Sequence, residues 1–116
     1  MAVTTDLSGR VAIITGSATG LGASIAKRLA EAGSTVIINY SRSSLEAEKT
    51  ADECRAFGVE VHCIQADVSE DADCKKLADV AAPYGRLDVL VNNAGITKQV
   101  PNHADLAGLD KDDFLR

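Results

Sequence analysis

Four short apolar runs divide the chain, and the stretches between them carry apolar residues at helical spacing. The runs are "RVAIIT" (10–15), "STVIINY" (34–40), "VEVHCIQAD" (59–67) and "LDVLVNN" (87–93). Short apolar runs bounded by turn residues predict strands buried on both faces. Between them, "LGASIAKRLAEAG" (21–33) places Ile25, Ala26 and Leu29 on one helical face and stops at Gly33. "SSLEAEKTADECRAFG" (43–58) predicts a second helix, with Ser43 or Ser44 as its N-cap and Gly58 as its stop. "SEDADCKKLADVAAPYG" (69–85) predicts a third, capped by Ser69, with acids in its first turn that suit the helix dipole. After Pro101, "LDKDDFLR" opens a fourth with Asp110 near its cap.

Alternation of strand and helix implies a parallel sheet covered on both faces. Right-handed crossovers put the first two connecting helices on one face and the third on the other. The fold class expected is therefore α/β, the first half of a Rossmann-type doubly wound parallel sheet with strand order 3-2-1-4. The fourth strand, Val89 to Val91, would then be an apolar edge. The last helix stops about two turns in, without a cap or a glycine. Residues 1–116 are accordingly expected to be the N-terminal portion of a single dinucleotide-binding domain, truncated by a shortened reading frame or belonging to a longer protein.

Composition removes several function classes. The 116 residues carry a net charge of −5, lysines and arginines are scattered, and aromatics make up 3%. No basic footprint or stacking platform for nucleic acid is present. No run approaches the roughly 18 apolar residues of a membrane span, and "MAVTTDLSGR" is not a secretory leader, so a cytoplasmic location is expected. Cys54, Cys63 and Cys74 form no C-x-x-C pair and, with only His62 and His103 beside them, show no zinc spacing, so no metal site is expected. His62 and Cys63 are adjacent, but neighbours on a strand point to opposite faces, which argues against a nucleophile pair.

The candidate chemistry lies in "TGSATGLG", where three of the chain's 9 glycines follow the first strand within seven positions. Gly16 would allow a sharp turn, Gly20 would let a pyrophosphate approach the backbone, and Gly22 would let the helix pack closely. Backbone N–H groups at the helix N-terminus make that turn an anion site. The alternative is a merely flexible loop; a Walker A loop is excluded, because no Gly-Lys-Ser/Thr follows.

T-G-x-x-x-G-x-G, together with "NNAG" (92–95) at the end of the fourth strand and "ADVS" (66–69) at the end of the third, resembles the short-chain dehydrogenase/reductase family. The resemblance spans essentially the whole chain, and "TVIINYSRS" and "GRLDVLVNNAGIT" look most like the 3-oxoacyl-carrier-protein reductase and glucose dehydrogenase branch. It implies that Gly16, Ser17, Thr19, Gly20, Leu21 and Gly22 line the pyrophosphate and adenosine ribose of NAD(P). Asp67 and Val68 would meet the adenine, with the Asp67 carboxylate accepting from its amine. Asn93, Ala94 and Gly95 would pass beneath the ribose, Asn93 also tying the fourth strand to its neighbours. For Asp67 the alternative is a helix-entry acid. For the Asn pair it is a turn, although Ala-Gly with no nearby strand partner argues against a hairpin.

The end of the second strand, Asn39 to Ser43, lacks the acid that would bond ribose hydroxyls in an NAD-preferring site. Arg42 stands at that point with Tyr40 and Ser41, and a guanidinium suits a 2′-phosphate. NADP(H) is therefore the preferred cofactor expected, with NAD(H) possible, and the alternative for Arg42 is a solvated surface charge. Thr19, not being basic, leaves out one of the family's two usual phosphate contacts.

The resemblance also implies hydride transfer to or from a carbonyl or alcohol, with Tyr-x-x-x-Lys supplying the proton. Tyr40 is followed four residues later by Ser44 and Tyr84 by Asp88, so no catalytic residue is identified within the 116. The chain reads as the cofactor-binding half of an oxidoreductase, inactive alone. Its full-length form would take a small carbonyl or alcohol substrate and form a homo-oligomer, with no nucleic-acid or membrane partner. The competing readings are a non-catalytic dinucleotide-binding fragment or module and, ranked below it, a methyltransferase. The latter would leave Asn-Asn-Ala-Gly unexplained.

Overall fold

The computed structural model describes residues 6–93 and a short strand at 97–98. The parallel strands β1 (Val11–Ile14), β2 (Thr35–Tyr40), β3 (Val61–Gln65) and β4 (Val89–Val91) lie in the order β3-β2-β1-β4. A two-residue strand, β5 (Thr97–Lys98), adds to β4 antiparallel, with Val91 opposite Thr97. Two expectations are thereby corrected. β4 is not an edge strand, and a strand partner for it does lie close in sequence, at Thr97–Lys98. Pairing satisfies backbone groups that an unpaired β4 edge would expose. The helix expected from Asp110 lies outside the described residues.

Helices α1 (Gly20–Glu31) and α2 (Ser44–Arg55) cover one face of the sheet, and α3 (Asp71–Ala81) covers the other. The strand pleat divides the side chains between them. Val11, Ile13, Ile37 and Leu90 meet Cys74, Leu77 and Ala81 of α3. Ala12, Ile14, Val36, Ile38 and Val91 meet Ala26, Ala30, Ala47, Ala51 and Cys54 of α1 and α2. The fully buried positions of α1 and α2 on that side are all small residues, with Ile25 and Leu29 half-buried beside them.

Element ends follow local chemistry. Gly33, at φ +103°, closes α1: its N–H donates to the Ala30 carbonyl, and that of Ser34 to Leu29. This double bond is the glycine stop expected of a Schellman motif. Pro83 cannot continue α3, so Ala82–Tyr84 form a 3-10 turn instead of a helix running to 85. The serine caps are only partly realised. Ser43 occupies the N-cap position of α2 without a side-chain bond, and α3 begins two residues after Ser69. Ser69 instead donates its hydroxyl and its N–H to the Asp67 carboxylate.

Asp88 clamps the amino-end side of the sheet. It is 5% exposed and accepts from the Val11 N–H at 2.9 Å, from Arg86 at 2.6 and 2.8 Å, and from Arg10 at 3.2 Å. Burial pushes the Asp88 carboxyl up, but the Arg86, Val11 and Arg10 bonds outweigh it and hold the carboxyl at about 2. A carboxylate whose folded value is depressed contributes stability above its unfolded value of about 3.9 and loses it as pH falls towards the folded value. We therefore expect about 2 kcal/mol at neutral pH from this group, lost between roughly pH 4 and pH 2. Urea titrations across that range should show a shallower acid loss in Asp88→Asn. An unchanged slope would show that Asp88 is not the group responsible.

Candidate functional site

The strand order reverses at β1, with β2 and β3 to one side of it and β4 to the other, and the carboxyl ends of these strands share one end of the sheet. The turn from β1 into α1 sits over that end. Gly16 and Gly20 both have positive φ, +59° and +63°, which only glycine adopts readily. A Cβ on Gly20 would face open space. One on Gly22 would lie 2.5 Å from the Gly16 carbonyl oxygen and 2.9 Å from the Ser17 Cα. The first turn of α1 is thus pressed against the turn that precedes it, and Gly22 is what permits the approach.

Thr19 precedes α1 in extended conformation and makes no side-chain cap bond, and the helix has no acid in its first turn. Its N-terminal N–H groups carry the positive end of the helix dipole with no carboxylate beside them. Leu21 stands 68% exposed on the same turn. The far side of the turn is fixed by Thr50 of α2, whose buried hydroxyl donates to the Ala18 carbonyl at 2.7 Å.

Two strand ends hold the turn from below. Thr15 Oγ1 accepts the Asn93 N–H at 3.1 Å, and Asn93 Nδ2 donates to the Gly16 carbonyl at 3.2 Å. Asn93 is therefore a tie between β4 and the turn. On the other side, Asn39 Oδ1 accepts the Gly16 N–H at 3.1 Å, and the Asn39 N–H donates to Ser17 Oγ at 2.9 Å. Ser17 Oγ donates in turn to the Ile14 carbonyl at 2.6 Å. Ser17, expected to line a pyrophosphate, is fully buried with its hydroxyl engaged below the turn. That hydroxyl holds the turn from beneath.

Tyr40 is half-buried against the second core, while Ser41 and Arg42 are exposed beyond β2. The Ser41 carbonyl accepts from Gln65 Nε2 at 3.1 Å. Past β3, Asp67 is exposed and Val68 half-buried against the α3 core. The Ser69 bonds, and then the positive charge of Arg42, hold the Asp67 carboxyl below its ordinary value. Ala94 and Gly95 lie outside the described residues.

The structure thus brings Thr19–Gly22, the 40–42 segment, Asp67, Val68 and Asn93 to one end of the sheet. Sequence reasoning did not single out Asn39 or Thr50. A polar residue closing the apolar run "VIIN", or interrupting a helical face of small residues, was the available signal, since a buried polar group needs a partner.

Residues elsewhere were weighed against this site. His62 and Cys63 project to opposite faces, His62 towards Tyr84 of the α3 side and Cys63 against the second core. Burial pushes the Cys63 and Cys54 thiols up to about 11, so neither is an activated nucleophile. Among the described residues, no three His, Cys, Asp or Glu side chains gather as a metal site, and no helix is long and apolar enough to cross a membrane.

A sequence profile described as short chain dehydrogenase matches residues 10–114. The chain belongs to the short-chain dehydrogenase family. A Streptomyces violaceoruber protein named for a ketoacyl reductase role in granaticin polyketide synthesis is 51% identical over 98 residues, which are 84% of this chain and 37% of that one. A Staphylococcus epidermidis 3-oxoacyl-[acyl-carrier-protein] reductase, FabG, is 47% identical over 88 residues, 75% of this chain and 36% of its own. The short-chain dehydrogenase chain thus spans little more than a third of these two relatives. The short-chain dehydrogenase/reductase homolog YusS of Bacillus subtilis differs: 40% identity over 97 residues covers 83% of this chain and 89% of that protein.

Solved structures agree. A metagenomic short-chain oxidoreductase in complex with NADP is 38% identical with a TM-score of 0.70, covering 78% of this chain and 41% of that one. A 7 alpha-hydroxysteroid dehydrogenase complexed with NADH and 7-oxo glycochenodeoxycholic acid is 33% identical with a TM-score of 0.71, covering 79% and 36%. The short-chain dehydrogenase fold is therefore present as the first half of a Rossmann-type sheet, with β5 as a short addition.

Proposed function

We propose that the strand-end surface of this short-chain dehydrogenase binds NADP(H) in preference to NAD(H), as the cofactor-binding half of an oxidoreductase. The observation that carries the reading is the first turn of α1, uncapped by any side chain and pressed onto Gly16 and Ser17 through Gly22. That arrangement aims backbone donors and a helix dipole at one place, which suits a pyrophosphate. Gly20, whose missing Cβ leaves open space, lets a phosphate reach the backbone. Thr19, Gly20, Leu21 and Gly22 are assigned to the pyrophosphate side, and Gly16 shapes the turn. Tyr40, Ser41 and Arg42 are assigned to the adenosine ribose and its 2′-phosphate, Asp67 and Val68 to the adenine, and Asn93, Ala94 and Gly95 to the ribose floor. NADP(H) is favoured because no carboxylate ends β2 while Arg42 stands exposed beside it.

When bound, the nicotinamide supplies or accepts a hydride at a carbonyl or alcohol carbon. This chain's residues bind and orient; the proton is moved by groups the 116 residues do not supply, because neither Tyr40 nor Tyr84 is followed by a lysine four positions on. We assign residues 1–116 to a single dinucleotide-binding domain in the cytoplasm and expect a homo-oligomer of the full enzyme. The match to nearly the whole of the Bacillus protein favours a second reading, in which such a chain is a non-catalytic dinucleotide-binding module.

Calorimetric titration of the 116-residue chain with NADPH and NADH, followed by a NADPH oxidation assay on a panel of ketones, tests both parts. The expected result is binding with NADPH preferred and no turnover. Failure to bind either cofactor would sink the site. Sustained turnover would sink the division of labour.

A further inference from the structure

Asn39 closes β2 but does not turn its side chain outward. It is 3% exposed, and every polar atom it carries is directed at another strand end. Its backbone N–H donates to Ser17 Oγ and its carbonyl accepts the Ser17 N–H, both at 2.9 Å. Its Oδ1 accepts the Gly16 N–H. Its Nδ2 reaches the other way, donating to the Ala66 carbonyl at 3.1 Å, with the Ile64 carbonyl at 3.4 Å and the Tyr40 carbonyl at 3.5 Å. Ala66 immediately precedes Asp67, and its own N–H is held by the Tyr40 carbonyl at 2.9 Å.

One amide therefore joins the turn at Gly16 to the segment that presents Asp67 and Val68. We propose that Asn39 is a positioning residue that fixes the phosphate turn and the end of β3 in register, so that one dinucleotide can engage both ends at once. The proposal rests on the cofactor reading above. Asn39 sets affinity for the part common to both cofactors and does not discriminate the 2′-phosphate, which belongs to Arg42.

The chemistry requires an acceptor on one side of this residue and a donor on the other, which only an amide supplies at every pH. In Asn39→Asp the new carboxylate still accepts from Gly16. When ionised, however, it meets the Ala66 and Ile64 carbonyl oxygens with no proton to give. Protonation restores a donor. Burial beside carbonyl oxygens disfavours the charged form, which places this titration above the ordinary carboxylate range. Among the described residues, Tyr40, Arg42, Asp67 and Asp73 are ionisable groups at these strand ends and are common to both proteins, so wild type at each pH is the baseline.

Two measurements test the proposal, using NADP+ and NAD+ for their stability in acid. Calorimetry from pH 5 to pH 8 should show Asn39→Asp losing about tenfold or more in affinity at pH 8 and recovering towards wild type at pH 5. Both cofactors should be affected by the same factor, and Asn39→Leu should be weakened at every pH. In the free protein, backbone amide spectra of Asn39→Asp should show Gly16 and the 66–68 amides shifting together with one titration midpoint. Affinity as in wild type at pH 8, a changed ratio of NADP+ to NAD+, or a Gly16 shift without the 66–68 shift would overturn the role of Asn39. A wild-type chain that binds neither cofactor yet keeps the coupled amide shifts in the variant would overturn the cofactor reading instead.

Discussion

Gly22→Ala will bind neither NADPH nor NADH measurably, and Gly22→Val will do no worse. The equality is the point of the prediction. The clash begins at the Cβ, which would lie 2.5 Å from the Gly16 carbonyl oxygen and 2.9 Å from the Ser17 Cα. Both neighbours are backbone, so no rotamer change relieves it. Either α1 lifts or the turn at Gly16 opens, and each movement carries the first-turn N–H groups away from where they converge. A displacement of about 1 Å in a positioned group is enough for an effect on the order of a hundredfold. Gly20→Ala makes the contrast in folding, because its Cβ meets no protein atom within 4 Å and the only strain in the free protein is a φ of +63°, while the added methyl enters the space assigned to the phosphate. That strain is about 1 kcal/mol, so Gly20→Ala should fold with a small loss of stability yet still lose cofactor affinity. Calorimetric titration of the three variants, with thermal melts to record folding, decides it. Gly22→Ala binding within threefold of the parent would remove Gly22 from the site.

Arg42→Ala should weaken NADPH about tenfold or more and leave NADH nearly unchanged, as the loss of a charge-assisted bond to the 2′-phosphate requires. Asn39, in β2 before Arg42, is committed to the interior. Arg42 is exposed, two residues past the end of β2. Its contribution should shrink as salt rises, because exposed charges are screened within about 8 Å at physiological ionic strength. Equal losses for the two cofactors would mean that Arg42 is only a solvated charge.

The strand order and the faces taken by the helices were legible because the signals were redundant. Ile13 and Ile14 point to opposite cores, and each finds a helix with matching small or apolar residues. The short-chain dehydrogenase turn was legible because its glycines have distinct physical tasks that leave a fixed spacing. Element ends were less so. Ser69 offered a plausible cap, but Asp67, two residues earlier, takes its hydroxyl. Local competition of that kind has no signature in periodicity. The antiparallel β5 could not be read from Thr97 and Lys98, since two residues carry no alternation and the pairing is decided by the edge of β4. The burial of Ser17 was not legible because a serine in such a turn looks alike whether its hydroxyl points outward or to the strand below. Only the Ile14 carbonyl and the Asn39 N–H, distant from it or hidden by the turn, distinguish the two.

The small-residue layer beneath α1 and α2 has a consequence for how this molecule can be altered. Ala23, Ala26, Ala30, Ala47 and Ala51 are buried and offer no rotamer to rearrange. A longer side chain at any of them can be accommodated only by moving a whole helix. Such a movement of α1 would be transmitted along a rigid rod to its amino end over the strand tips. Enlarging Ala26 or Ala30, a full turn or more from the phosphate turn, should therefore disturb ligand affinity in the same way as a change within it. A saturation library across this layer would then map as a functional surface, although none of these residues would ever touch the ligand.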